Sequence, residues 1–261
     1  MPRETSTGAG PKTKGVPVLL AAAVAVYPLG RRQAVVAHHA QEPRPIASVT
    51  KLMTAMVVAD RSLPQGELIT ITEEDVDRFK HSSSRVPVGA QFTRQELLRL
   101  TLAASDNRAA HALARTYPGG ARACLQAMNR KAKSLGLSSA RFVEPTGLSP
   151  NNVCSASDLA QMLEAFQHYA LLSRFSTQLS FTLRHAGQVL QFRNTNRLLH
   201  EEPWPILASK TGYIQEAGRC LTLVVYWAGV TYRVIILGAD SSASRWEQVR
   251  HLRHWLTRTK T

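Results

Sequence analysis

The sequence predicts an α+β fold in which both ends of the chain build one sheet and the middle is helical. Two strand-like stretches, about 18–28 and 33–39, open the chain. Near its end, "CLTLVVYWAG" and "TYRVIILGAD" read as a hairpin about Ala228-Gly229-Val230. Between about 60 and 160, apolar residues recur at helical spacing. Strands grouped apart from helices are typical of α+β folds, so we expect a sheet lobe and an all-helical lobe.

The N-terminal residues allow two interpretations. Residues 1–15 are polar and rich in Gly, Pro, Thr and Lys, which predicts a disordered segment. The apolar stretch 16–27 follows Lys12 and Lys14 and so resembles a short signal-peptide core. It also reads as a first strand, because "AVAVYPLGRRQAVVAHH" is a strand, a glycine-containing turn and a second strand. We favour the strand, which makes 16–261 the folded unit and leaves no evident signal peptide in the chain as given.

Composition limits the possible functions. The 261 residues are 44% hydrophobic, enough for a substantial core. The net charge of +14 suggests a nucleic-acid partner, but the basic residues are spread along the chain without a recognition motif. We therefore expect no nucleic-acid partner, and a basic surface that is solvated or weakly attracted to cell wall or membrane.

Cysteine and histidine usage argues against disulfides and metals. The three cysteines, Cys124, Cys154 and Cys220, are far apart in sequence, which predicts buried free thiols. The nine histidines form no H-E-x-x-H pattern. We therefore expect neither a metal site nor a cofactor.

Start and stop signals place the helices. Pro43 and Pro45 keep the lead-in extended, and a helix runs from Ser48 to about Asp60. The polar, Gly- and Pro-broken stretch 80–91 is predicted to be a loop. Capping residues indicate the other helix boundaries. These are a start at Thr72–Asp75, a start at Thr93–Glu96 with an end before Ser105, a start near Arg108, a helix Gly119–Leu135 closed by Gly136, and a start at Ser155–Asp158.

The last third of the chain returns to strands. It turns extended around "FRNTNRLL", and a strand over Pro205–Gly212 is predicted to end at the glycine. The final helix, about Ser242–Arg258, is apolar on one face and basic elsewhere. Packing on the sheet is our interpretation, and a membrane-surface anchor is the alternative.

A serine and a lysine lie three residues apart at the start of the Ser48 helix. Because residues i and i+3 are neighbours on a helix, Lys51 lies beside Ser48. A serine hydroxyl needs a base to become a nucleophile, and a lysine removed from water has a lowered pKa and can be that base. Alone, the pair is more typical of a helix N-cap followed by an exposed lysine.

Two further motifs change that interpretation. Ser105-Asp106-Asn107 occupies a predicted loop between helices, and Lys210-Thr211-Gly212 ends a predicted strand. S-x-x-K, S-D-N and K-T-G, in this order, form the motif set of penicillin-binding proteins and class A β-lactamases. The three motifs would meet between the two lobes, where ligand sites are common.

Longer stretches extend the similarity over about Ala21–Thr257. "RPIASVTKLMTAMVV", "NRAAHALARTYPGG", "AMNRKAKSLGLSSARFVEPTGLS", "FRNTNRLL" and "SKTGYIQEAGRCL" resemble the D-alanyl-D-alanine carboxypeptidase/endopeptidase family, peptidase S11. This resemblance implies a penicillin-binding-protein fold, with a five-stranded antiparallel sheet, flanking helices and an all-helical lobe. It also implies peptidoglycan peptides as substrates, β-lactam antibiotics as covalent inhibitors and a periplasmic location.

The resemblance assigns roles to the motif residues. Ser48 would attack the D-Ala carbonyl, Lys51 would take its proton, and Ser105 would relay a proton to the leaving amine. Backbone amides of Ser48 and Tyr213 would form the oxyanion hole. Four further candidates would bind substrate, namely Asn107, Lys210, Thr211 and Gly212. Lys210 and Thr211 would offer a cation and a hydroxyl to a carboxylate, and Gly212 would admit a ligand to the strand edge.

Several alternatives stay open at this point. The leaving group is either a cross-linked diamino acid, as in an endopeptidase, or free D-Ala, as in a carboxypeptidase, and the resemblance favours the first. A class A-like β-lactamase would use Glu144 to activate water, but Leu148 stands where that class carries an asparagine. A non-catalytic cell-wall-binding module would have a broken motif, and none of the three is broken.

Overall fold

The computed structural model describes residues 18–201 and 204–258, which contain eleven strands and seven α-helices. The strands are β1 (Ala21–Pro28), β2 (Val36–His38), β3 (Arg44–Pro45), β4 (Leu68–Thr70), β5 (Gln91–Thr93), β6 (Val153–Cys154), β7 (Ser180–His185), β8 (Gln188–Arg193), β9 (Ile206–Ile214), β10 (Gly218–Trp227) and β11 (Val230–Ala239). The helices are α1 (Thr50–Asp60), α2 (Arg94–Arg99), α3 (Asn107–Arg115), α4 (Gly120–Ser134), α5 (Ala156–Phe166), α6 (Ala170–Thr177) and α7 (Ser242–Arg258).

One five-stranded sheet joins the two ends of the sequence. Its order is β2-β1-β11-β10-β9, and all four pairings are antiparallel. The first long strand pairs with the last, from Ala21 opposite Ala239 to Pro28 opposite Tyr232. The α+β class and the five-stranded antiparallel sheet are therefore confirmed, and β9 is an edge strand.

Both faces of the sheet are buried, which explains why its strands read as nearly continuous apolar runs. Ala23 and Ala25 of β1 join the larger core with the middle helices, while Val24 and Val26 join a second core on the other face. α7 covers that second face, as predicted, and its buried residues include Trp246, Val249, Leu252 and Leu256. None of the helices in the described part of the chain is long and apolar enough to cross a membrane.

The helices between β2 and β9 form the other half of the molecule. α1 runs through the larger core, and its residues from Thr50 to Val58 are all buried. α2 begins with the predicted capping box, since the Thr93 and Glu96 side chains each bond the other's backbone. Its C-terminal end passes into a π-helical turn, Leu100–Ala104, before α3 begins at Asn107. The three cysteines are buried with free thiols, also as predicted.

Some predicted boundaries were wrong. β9 does not end at Gly212 but continues to Ile214, because Gly212 and Tyr213 still pair with β10. The start at Thr72 leads only to one 3-10 turn, Glu73–Asp75, after which the backbone is extended. The opening strands are shorter than predicted, at 21–28 and 36–38. The prediction of disorder over residues 1–15 lies outside the described residues.

Candidate active site

Ser48 lies in a 3-10 turn, Ala47–Val49, that leads directly into α1. Two glycines let other segments pack against this turn. A Cβ on Gly147 would lie 2.0 Å from the Ala47 carbonyl oxygen, and one on Gly212 would lie 3.0 Å from Ser48 N. We expected Gly212 to admit a ligand, but its close neighbour is the backbone of the Ser48 turn. Its missing side chain therefore lets β9 approach the serine.

Lys51 is fully buried and points at the serine. Its Nζ donates hydrogen bonds to Ser48 Oγ at 2.8 Å, Asn107 Oδ1 at 2.6 Å and the Thr146 carbonyl at 2.7 Å. Burial lowers the pKa of Lys51 to about 8, although the charges of Glu144, Asp106 and Asp77 act in the opposite direction. A lysine with this pKa is partly unprotonated near neutral pH, so it can accept the Ser48 proton.

Ser105 and Lys210 form a second pair across the cleft. The π-helical turn ends at Ser105, whose φ of +58 places it in the left-handed region, and α3 starts two residues later. Lys210 Nζ reaches over from β9 and donates to Ser105 Oγ at 2.7 Å and to the Thr211 carbonyl at 2.9 Å. Each of the two lysines thus donates to a serine hydroxyl in the same cleft, Lys51 from the helical half and Lys210 from the sheet.

The Lys210 side chain is buried without an acidic partner in contact among the described residues. It is 1% exposed, and its two hydrogen-bond acceptors are a hydroxyl and a carbonyl. Burial lowers the pKa of Lys210 well below its usual value, and the charges of Lys51 and Arg245 lower it further. An anion bound in the cleft would supply the missing counter-charge.

Two hydroxyls and an aromatic ring complete the sheet side of the cleft. Thr211 Oγ1 is 2.6 Å from Thr195 Oγ1, which belongs to the segment after β8. Tyr213 is 51% exposed, and the Arg219 guanidinium lies 3.5 Å from the centroid of its ring. The edge strand thus presents Thr211 and Tyr213 beside the Ser48 turn.

A loop from Asp77 to Ser84 holds the S-D-N segment from the other side. Ser82 Oγ accepts from Asn107 Nδ2 at 2.7 Å, and Ser84 Oγ donates to Asp106 Oδ2 at 2.7 Å. The Asp77 carboxylate accepts from the backbone N–H groups of Phe79, Lys80 and Ser82 at 2.9 Å each. This loop therefore fixes the position of Asn107, which in turn contacts Lys51.

Glu144 stabilises the segment whose Thr146 carbonyl accepts a hydrogen bond from Lys51. Its carboxylate accepts from the backbone N–H groups of Thr146 and Gly147, both at 2.6 Å, and from Thr146 Oγ1 at 2.5 Å. It also accepts from Asn152 Nδ2 at 2.8 Å. The carboxylate oxygens are thus occupied by the protein itself, which differs from the arrangement expected of a group that activates a water molecule.

Comparisons with known proteins agree with this geometry. The model of the D-alanyl-D-alanine carboxypeptidase family, peptidase S11, matches residues 21–241. A D-alanyl-D-alanine endopeptidase of Pseudomonas aeruginosa is 44% identical over 81% of this chain and 69% of its own length. One of Escherichia coli K12 is 36% identical over 98% of this chain and 83% of its own.

The chain belongs to peptidase family S11. Solved structures show the same fold at lower identity. The DD-transpeptidase of Streptomyces K15 superposes with a TM-score of 0.85 at 24% identity, covering 92% of this S11 chain and 97% of the other. A D-alanyl-D-alanine carboxypeptidase of Mycobacterium tuberculosis gives a TM-score of 0.84 at 22% identity, covering 94% and 93%.

The structure brings together the three S11 motifs but adds residues that sequence reasoning missed. Ser48 and Lys51 are in contact, as are Lys51 and Asn107, and Ser105 and Lys210. The missed residues act through hydrogen bonds to motif residues, and they are Ser82, Ser84, Thr146 and Thr195. "HSSSR" and "FRNTN" lie in segments read as loop or extended chain, and nothing in either predicts its partner. Within residues 18–201 and 204–258, no three metal-ligating side chains lie together.

Proposed function

We propose that this S11 peptidase cleaves the bond after a D-Ala residue in peptidoglycan stem peptides, through an acyl-enzyme on Ser48. The observation that supports this most strongly is the buried Lys51 ammonium, 2.8 Å from Ser48 Oγ and with its pKa lowered to about 8. A solvated lysine would stay protonated at neutral pH and would leave the hydroxyl unactivated.

In the acylation step Ser48 Oγ attacks the D-Ala carbonyl carbon while its proton passes to Lys51. The backbone N–H groups of Ser48 and Tyr213 stabilise the oxyanion. The carbon–nitrogen bond then breaks, and the leaving amine takes the proton of Ser105 Oγ, which Lys210 Nζ replaces from 2.7 Å away. Water later attacks the ester carbonyl and gives a proton to the Ser105–Lys210 pair. The bond to Ser48 Oγ then breaks, Lys51 returns its proton to Ser48, and the acid is released.

The substrate carboxylate beside the scissile bond binds on the sheet side of the cleft. Lys210 provides a buried cation and Thr211 a hydroxyl, with Gly212 holding this part of β9 against the Ser48 turn. Asn107 Oδ1 holds Lys51, and Asn107 Nδ2 has a second hydrogen available for the substrate amide. The five groups together define one binding site between the two halves of the molecule.

We further propose that cross-linked D-Ala–diaminopimelate bonds are the preferred substrate. The two relatives described above are named endopeptidases, and they match most of this chain. In such a bond the leaving amine sits beside a carboxylate, as it does in D-Ala-D-Ala, so the same Lys210 and Thr211 site serves both reactions. We also propose that the enzyme acts in the periplasm and that β-lactams inhibit it covalently. Residues 16–261 would form one peptidase unit.

The test compares two substrates with one enzyme preparation. Purified wild type is incubated with a stem pentapeptide and with a D-Ala–diaminopimelate cross-linked dimer, and products are separated by mass. We expect faster cleavage of the dimer. Faster release of free D-Ala from the pentapeptide would instead assign a carboxypeptidase, and cleavage of neither substrate would contradict the proposed function.

A further inference from the structure

An open cavity of about 600 Å³ lies between the helices and the loops on the helical side of the cleft. Its lining is mostly apolar, and Phe79 stands at its edge with 68% of its surface exposed. None of the catalytic steps above uses it. The apolar side chains that line it are Val76, Phe79, Ala121, Leu125, Val143, Pro145 and Leu148.

This cavity lies next to the general base, Lys51. Asn107 and Thr146 both line it, and both accept hydrogen bonds from Lys51 Nζ. Lys210 and Thr211, which receive the leaving side of the substrate, belong to β9 and do not line it. With the leaving side of an intact substrate bound on the sheet, as proposed above, its acyl side is free to extend toward the cavity.

Most charged groups around the cavity are already used by the protein. Asp75 is buried and bonded by His111 and Arg115. Asp77 and Glu144 accept backbone N–H groups, as described above.

Arg122 and Glu74 are the exceptions. Both line the cavity and both are exposed. Neither makes a hydrogen bond or ion pair in the described part of the chain, although the charge of Glu74 also acts on Arg115, which is bonded to Asp75. The cavity thus offers an apolar surface, one available cation and one available anion.

We infer that this cavity is the subsite for the diamino acid that precedes D-Ala on the acyl side of the substrate. The aliphatic stem of this residue contacts the apolar lining, the carboxylate at its far end pairs with Arg122, and the ammonium pairs with Glu74. An α-amino acid head on a hydrocarbon stem matches both charges and the apolar lining, whereas a lysine side chain provides only the ammonium. This inference rests on the proposed function.

The experiment measures kcat/KM for two cross-linked dimers that share one leaving group. They differ only in the acyl-side residue before D-Ala, which is meso-diaminopimelate in one and L-lysine in the other. We expect wild type to prefer the diaminopimelate dimer about tenfold, the value of one charge-assisted hydrogen bond. Arg122→Ala should reduce this ratio to about two or less, while Phe79→Ala should raise KM for both dimers.

Arg130→Ala is the matched control, because Arg130 is an exposed arginine of the same helix, α4, outside the cavity. It should keep the wild-type ratio. Equal cleavage of the two dimers by wild type, or an unchanged ratio in Arg122→Ala, would overturn the subsite while leaving the peptidase intact. Cleavage of neither dimer, together with no acylation of wild type by a penicillin, would instead overturn the proposed function.

Discussion

The side-chain amide of Asn107 donates to Ser82 Oγ at 2.7 Å, and this contact determines which end of the amide faces Lys51. Because Nδ2 is directed at Ser82, Oδ1 faces Lys51 and accepts a hydrogen bond from its Nζ at 2.6 Å. Ser82 itself is held by Asp77 through its backbone N–H. A surface loop therefore positions the base of the proposed reaction.

Replacement of Ser82 tests this positioning role. We expect Ser82→Ala to slow penicillin acylation about 3- to 10-fold, because one hydrogen bond of about 1 kcal/mol is lost. The acid limb of the pH profile should move to lower pH, since a poorly placed Oδ1 stabilises the Lys51 ammonium less. Ser82→Thr should restore both properties, and exposed Ser83→Ala is the control. A uniform rate loss without a shift of the limb would show a merely structural role.

The pKa of Lys51 leads to an expectation for the pH dependence. Burial lowers this pKa to about 8, and the unprotonated form is the base. Acylation by a penicillin should therefore rise about tenfold per pH unit below pH 8 and level off above it. Stopped-flow measurement between pH 6 and 10 gives the limb directly. A limb near the ordinary lysine value of 10.5, or a flat profile from pH 6 to 8, would contradict Lys51 as the base.

Gly147 is expected to be intolerant of any side chain. A Cβ there would lie 2.0 Å from the Ala47 carbonyl oxygen, and the backbone has φ +86. Gly147→Ala should cost about 3 kcal/mol or more and slow acylation of Ser48, because the serine turn must move. Gly187→Ala is the matched control, with φ +75 and nothing within 4 Å. It should cost about 1 kcal/mol. Equal losses in thermal unfolding would show that the Ala47 contact is unimportant.

Glu144 distinguishes a peptidase from a β-lactamase-like enzyme. Because its carboxylate is bonded by Thr146, Gly147 and Asn152, Glu144→Gln should lower the melting temperature and slow acylation. The control is Glu73→Gln, an exposed glutamate whose loss should change neither. The lifetime of the acyl-enzyme is then measured by mass spectrometry. Normal acylation with a greatly prolonged adduct in Glu144→Gln alone would assign it the role of activating water.

Local signals were sufficient for much of the fold. Ser155 and the Thr93–Glu96 box cap their helices as predicted, and the hairpin turns at Ala228-Gly229. The β7–β8 hairpin was missed although its turn, Ala186-Gly187, has positive φ at both residues, as Ala228-Gly229 has. Its strands are mostly exposed and polar, so they lack the continuous apolar runs that reveal β10 and β11. The prediction that this strand ends at Gly212 was wrong, because pairing with β10, and not the glycine, determines where β9 ends.

The site was predictable only where residue types repeat a known chemical pattern. Ser48 and Lys51 could be paired from their spacing on one helix. Ser82, Thr146 and Thr195 are distant in sequence from the residues that they contact, and serine and threonine are common in loops. Their contribution depends on tertiary contacts between separate segments, which no local pattern reveals.

The most direct test of the central claim is the intact mass of the protein after mixing with a penicillin, for wild type and for Ser48→Ala. β-Lactam ring opening by Ser48 Oγ transfers the whole molecule, so wild type should gain the full mass of the penicillin in a long-lived adduct. The Ser48→Ala variant should gain nothing. An adduct of equal yield in the variant, or no adduct and no penicillin turnover by wild type, would contradict Ser48 as the nucleophile.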